Sequence, residues 1–174
     1  MSDISRRSFL KFGACVAGGL CASEALGEAA APRETAARPA LTTVLPYPRL
    51  KLAHATQLKT GVELRLTYPD KESPISLLKL GKKAINGIGP DADIVAYSRL
   101  CSHMGGSLNF RPSAGEFQCP LHYARFDAAK SGLIIIGQAT DNLPQIQLHM
   151  DRKGDIYAVG ILGLVYGRRA NILG

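Results

Sequence analysis

Two short segments restrict this chain more than anything else in it. Cys101 precedes His103 in CSHMGG, residues 101–106, and Cys119 precedes His122 in CPLHYARFD, residues 119–127. The sequence holds four cysteines and four histidines in all, and Cys15 and Cys21 fall in an apolar stretch near the N-terminus. Each of the two remaining cysteines therefore has a histidine close downstream. A plain disulfide between Cys101 and Cys119 is the simple alternative for an exported chain. It leaves both histidines unexplained, whereas metal ligation uses all four side chains. Zinc modules group two cysteines first and two histidines later; here the order is Cys, His, Cys, His. One thiolate and one imidazole from each loop suit a pair of irons bridged by sulfide, with both thiolates on one iron and both imidazoles on the other.

The N-terminal segment reads as an address. Ser5–Lys11, SRRSFLK, matches the twin-arginine export pattern and is followed by FGACVAGGLCA and by small residues around ALGEAAA. Its uncharged core falls short of the roughly 20 residues that cross a bilayer. Residues 1–27 are thus expected to be a signal peptide cleaved after Gly27 or Ala31, not a membrane anchor, and Leu20 stands where a lipoprotein signal has a small residue. The expected location is periplasmic. Residues 28–48, rich in Ala and Pro, read as a linker or N-terminal arm. Residues 49–174 are expected to form one domain, with its two candidate ligand loops at 101–106 and 119–125.

Within that domain GVELRLTYP, DIVAYS and PQIQLHM carry strand patterns, and DRKG turns the last of these into DIYAVG. No segment after residue 27 has a long helical period. An all-β fold of stacked antiparallel sheets or a barrel follows. The formal charge is +7, from 21 lysines and arginines against 14 acidic residues, and the basic residues are scattered, as in LKLGKK, Arg152, Lys153 and YGRRA. Without interleaved aromatics or a recognisable module, they read as a solvated surface, not a nucleic-acid site, and leave room for an acidic protein partner.

The loops C-S-H-M-G and C-P-L-H resemble the two cluster-binding loops of Rieske proteins. YPDKESPISLLKLG, GIGPDADIVAYSRLCSHMGG, GQATDNLPQIQL and DIYAVGILGLVYGRRANILG are further similar to the small subunit of arsenite oxidase, from about Thr67 onward. The resemblance implies an all-β Rieske domain carrying one [2Fe-2S] cluster, with Cys101 and Cys119 on the inner iron and His103 and His122 on the outer, exposed iron. It also implies a large molybdopterin catalytic subunit as partner, exchange of single electrons with a soluble cytochrome c or cupredoxin, and export of the folded assembly. Iodate reductase, with electron flow reversed, is the alternative within the same architecture. A quinol-oxidising Rieske subunit and a zinc-stabilised binding module stand behind these. No nucleophile with an activating base and no paired carboxylates suggest chemistry of the chain's own.

The departures from the family are informative. Most Rieske proteins place a second cysteine in each loop and join the loops by a disulfide; the matching positions here are Gly106 and Leu121. The serine and tyrosine that donate hydrogen bonds near the cluster in high-potential relatives are matched by Ala124 and Phe126. Loss of both donors predicts a potential in the lower half of the Rieske range of roughly −150 to +300 mV. His54 and His149 have no cysteine beside them and read as surface or packed residues. Gly87–Pro90 reads as a turn. Pro144 suits either a strand entry or a loop over the cluster, and Tyr123 either an ordinary contact or a docking surface.

Overall fold

The computed structural model describes residues 47–172. Residues 1–27, expected to be the signal peptide, and all but the last two residues of the 28–48 segment lie outside the described residues. Ten strands follow: β1 (Leu50–His54), β2 (Glu63–Thr67), β3 (Pro74–Lys79), β4 (Ile94–Ser98), β5 (Asn109–Arg111), β6 (Glu116–Gln118), β7 (Arg125–Asp127), β8 (Leu133–Ile136), β9 (Gln145–Met150) and β10 (Asp155–Leu162). Six form one sheet in the order β1-β10-β9-β4-β3-β2, and four short ones form a second, β5-β6-β7-β8. All strand pairs are antiparallel. Among the described residues the single helical element is the 3-10 turn Ala55–Gln57, and no helix is long and apolar enough to cross a membrane. The all-β expectation holds.

Local chemistry explains the strands. Asp151 Oδ1 accepts the Lys153 and Asp155 N–H groups, each at 2.9 Å, and so folds the DRKG turn between β9 and β10. Along β10, Ile156 and Ala158 point inward, and a bulge between Ala158 and Gly160 changes the phase so that Ile161 also reaches the core. Strand β4 is buried throughout because the sheet is covered on both faces. Its Val95 and Tyr97 enter one core, and Ile94 and Ala96 enter the other. Strand β3 divides likewise, Leu78 to the first core and Ile75 and Leu77 to the second.

The small sheet is an excursion from the centre of the large one. Strands β4 and β9 pair as Ala96↔Ile146 and Tyr97↔Gln145, and everything from Arg99 to Pro144 leaves and returns between them. Its first core contains Leu108, Phe117 and Phe126 together with Cys101 and Cys119. Phe117 meets Tyr97 edge-on at 5.7 Å between ring centroids and Phe110 at 5.3 Å. A buried polar junction joins the sheets. Gln145 Nε2 donates to the Ile85 carbonyl at 3.0 Å and to the Tyr97 hydroxyl at 3.2 Å, while Asn86 Nδ2 donates to Gln145 Oε1 at 3.0 Å. The Tyr97 hydroxyl donates onward to the Ala128 carbonyl at 2.8 Å, and burial pushes this phenol well above its ordinary value, so it remains a donor. With its amide satisfied at both ends, Gln145 fixes where the excursion is rooted.

Candidate metal centre

The two ligand loops are built to one plan. In loop 1, between β4 and β5, the Cys101 N–H donates to the Gly106 carbonyl at 2.9 Å and the Gly105 N–H to the Cys101 carbonyl at 2.8 Å. In loop 2, between β6 and β7, the Cys119 N–H donates to the Ala124 carbonyl at 2.9 Å and the Tyr123 N–H to the Cys119 carbonyl at 3.1 Å. Each loop thus closes over five residues, with its fifth member left-handed: Gly105 at φ +69° and Tyr123 at φ +59°. A glycine suits that conformation without strain; a tyrosine does not. Loop 1 is held at its base by the Leu100↔Ser107 bridge and by Arg99, whose guanidinium donates to the Leu108 carbonyl at 3.2 Å and pairs with Glu63 at 3.1 Å. Loop 2 is a continuation of the β6-β7 hairpin, fixed by the Phe117↔Phe126 pair inside the core.

This plan sorts the four candidate ligands by depth. Cys101 and Cys119 are 1% and 2% exposed and make no disulfide. His103 is half-buried and His122 exposed. Their rings lie 4.9 Å apart between centroids, inclined at 71°. The same two loops therefore set the two cysteines beside each other inside the protein and the two imidazoles beside each other toward the surface. Burial pushes the Cys101 thiol up, and the neighbouring Cys119 sulfur pushes it the same way. Two thiolates side by side at that depth need a cation between them. Among the described residues no group of three or more His, Cys, Asp or Glu side chains is placed to hold a single metal ion; a binuclear cluster would take one pair on each metal atom. The donor set fits that group.

The departures have visible consequences. A Cβ built on Gly106 would stand 2.7 Å from Leu121 Cδ1, 3.0 Å from Leu121 Cγ and 3.0 Å from Cys119 Sγ. Gly106 and Leu121 are thus in direct contact across the loops, at the positions where the Rieske proteins that this chain resembles carry a bridge. Leu121 remains 54% exposed, so it contributes a contact more than burial. Ala124 and Phe126 are buried, with no hydroxyl to offer. Met104 and Tyr123, 56% and 68% exposed, flank the imidazoles with apolar surface.

The remaining candidates fall elsewhere. His54 accepts the Thr56 N–H at the 3-10 turn and contacts the Lys153 carbonyl through Nε2 at 2.8 Å. His149 lies exposed on β9. The turn read for Gly87–Pro90 falls two residues later: the Ala92 N–H donates to the Gly89 carbonyl at 3.1 Å, while Ile88 bridges Ile94. Pro144 is buried immediately before β9, and its carbonyl accepts the Ser98 N–H at 2.9 Å. The loop leading into it reaches loop 1 as well, since the Ser102 hydroxyl donates to the Asp141 carbonyl at 2.6 Å. A cleft of about 560 Å³ runs beside this contact, between Asp141–Leu143 and Leu162–Arg168. Sequence reasoning missed the C-terminal side of that cleft, where Tyr166 lies against Gly105.

Known proteins resemble this chain in sequence and in fold. Iodate reductase subunit IdrB of Pseudomonas sp. (strain SCT) is 40% identical over 173 residues, covering 94% of this chain and 82% of that protein. Iodate reductase subunit IdrB of Denitromonas iodatirespirans is 44% identical over 131 residues, covering 74% of this chain and 70% of its own. The crystal structure of the soluble domain of Rieske protein II from Sulfolobus acidocaldarius matches with a TM-score of 0.64 over 71% of this chain and 83% of its own, a likeness of fold at 22% identity. Residues 49–147 match the family model of the Rieske [2Fe-2S] domain, and it is to the Rieske iron-sulfur proteins that this chain belongs.

Proposed function

We propose that this chain is the electron-transfer small subunit of a periplasmic molybdopterin oxyanion reductase of the iodate reductase type. Similarity to an iodate reductase subunit along 94% of the chain carries the reading. The arsenite oxidase reading, placed first from sequence, keeps the same residues and partners with electrons running the other way; the relatives favour the reductase. Cys101 and Cys119 would hold one iron of the cluster and His103 and His122 the other. The cluster, when bound, supplies storage of one electron at a time. The chain's own residues do the rest. Burial of both cysteines keeps water from the sulfurs, and the two imidazoles carry the ligand set out to the surface. Met104, Leu121 and Tyr123 surround the imidazoles with apolar atoms that a partner can cover without stranding charge.

In this reading a soluble cytochrome c or cupredoxin supplies electrons, the large molybdopterin subunit receives them, and the twin-arginine signal exports the folded pair. The test is co-purification of the full complex, with iron and acid-labile sulfide determined, followed by stopped-flow optical or EPR observation. Iodate should reoxidise the reduced complex rapidly while arsenite leaves the oxidised complex unchanged. Rapid reduction by arsenite with no response to iodate would establish the arsenite oxidase type instead. A colourless complex without iron would remove both.

A further inference from the structure

The missing covalent bridge raises the question of what holds loop 1. Leu121 touches Gly106 from the side of loop 2, and Ser102 reaches Asp141 from the side of the proline loop. The third contact comes from the far end of the chain. A Cβ on Gly105 would lie 2.5 Å from Tyr166 Cδ1 and 2.6 Å from Cε1, so the ring of Tyr166 rests directly on the Gly105 backbone. Gly105 is the residue whose N–H closes loop 1 on Cys101, between the two predicted ligands of that loop and its exit.

The segment that carries Tyr166 is exposed along much of its length but pinned at several points. Val165 is buried in the second core. The Val165 N–H donates to Asn171 Oδ1 at 2.8 Å, and Asn171 Nδ2 donates to the Gly163 carbonyl at 2.8 Å and to the Tyr47 hydroxyl at 3.0 Å. Asn171 is itself buried, and a buried amide with both ends satisfied specifies one geometry. Arg168 forms a two-pronged pair with Asp70 of the β2-β3 connection, Nη2 to Oδ1 at 2.8 Å and Nη1 to Oδ2. Tyr47 stacks near Tyr68, centroids 6.4 Å apart, and the Tyr68 hydroxyl donates to the Pro48 carbonyl at 2.9 Å. Residues 163–172 are therefore a strap tied to the large sheet and to the start of the domain, and Tyr166 is the side chain it presents to loop 1.

We propose that Tyr166 is a positioning residue for the cluster ligands: it presses Gly105 into its left-handed conformation and so fixes Cys101 and His103, taking over on loop 1 a task that an inter-loop disulfide performs elsewhere in the family. The inference rests on the reading of Cys101 and His103 as ligands, but its mechanical half does not. The experiment uses the full chain as purified with its partner. In Tyr166→Ala, amide exchange across residues 101–106 should speed up roughly tenfold while residues 119–124 keep their protection, and release of iron to a chelator should accelerate by a similar factor. The EPR g-values should shift, because the imidazole of His103 is no longer held at one angle. Tyr166→Phe keeps the ring and should behave as the parent on all three measures. Unchanged exchange at 101–106 and unchanged iron release in Tyr166→Ala would overturn the proposal. If that variant does not fold, Asp70→Asn loosens the strap at a distance and should raise exchange at 101–106 severalfold; parental exchange there overturns the proposal too. A parent protein without iron whose loop 1 exchange still depends on Tyr166 would refute the cluster reading and leave the clamp standing.

Discussion

Replacing Gly106 and Leu121 together by cysteine should join the two loops. A disulfide places each Cβ about 3 Å from the opposite sulfur, given an S–S bond near 2.05 Å. In this structure a Cβ on Gly106 lies 3.0 Å from Leu121 Cγ, so Leu121 already holds an atom where the second sulfur belongs. The bridge closes the chain between residues 106 and 121, and a closed loop of roughly 15 residues stabilises by at most about 3 kcal/mol. The same built Cβ stands 3.0 Å from Cys119 Sγ, closer than ordinary contact, and the small shift this requires subtracts from the gain. A net gain of about 1–2 kcal/mol, or a melting temperature higher by roughly 3–8 °C, is the expected result. The assay alkylates the native holoprotein before and after mild reduction, and compares melting with and without reductant. Two freely alkylated engineered thiols in the folded, cluster-bearing protein would refute the juxtaposition of the loops. The single variant Gly106→Ala supplies a control in the opposite sense: it overpacks against Leu121 and should cost about 1–3 kcal/mol, most of it restored by Leu121→Ala.

Three further outcomes are expected. Ala124→Ser adds a hydroxyl next to the ligand loop and should raise the reduction potential by stabilising the reduced form; an unchanged or lower value in potentiometric titration would mean that the hydroxyl does not face a sulfur. Tyr123→Gly relieves a left-handed tyrosine at the position that loop 1 fills with Gly105, and after the entropy cost of glycine it should stabilise by about 0.5–1 kcal/mol, read from the denaturation midpoint. The Arg168 guanidinium holds the Asp70 carboxyl below its ordinary value. The unfolded chain therefore takes up this proton first, so the pair's contribution is complete above about pH 4 and is lost as the pH falls further; Asp70→Asn should flatten that part of the stability profile.

The site was more legible in the sequence than the sheet that carries it. Cys101, His103, Cys119 and His122 announced themselves because a thiolate and an imidazole must lie close in sequence to enter one site from a short loop. Strands β2, β9 and β10 were legible from alternation and β4 from its apolar run. Strands β5, β6 and β7 have three residues each, too few for a period of two to show, and β3 is buried on both faces, so PISLLK reads as an apolar run without direction. The contact of Gly106 with Leu121 followed from the family pattern. Tyr166 could not be found that way, because nothing local distinguishes it; only the return of β10 past the proline loop, with Gly163 packed beside Pro144, carries the strap to Gly105.

The two cores also bear on how such a site can be assembled. The core shared by β1, β3, β4, β9 and β10 contains neither cysteine, so its closure is independent of any metal. The other core includes both cysteines as packing residues. Burial raises the Cys101 thiol, and a protonated cysteine is among the side chains most readily buried. The metal-free loops can therefore close on neutral thiols, with the left-handed Gly105 and the Leu121 contact already in place. Ligation then requires only that the thiols give up their protons to a cation that compensates the charge. A chain without the inter-loop disulfide does not depend on an oxidising compartment to shape its ligand loops, and this supports the proposal that it is exported already folded.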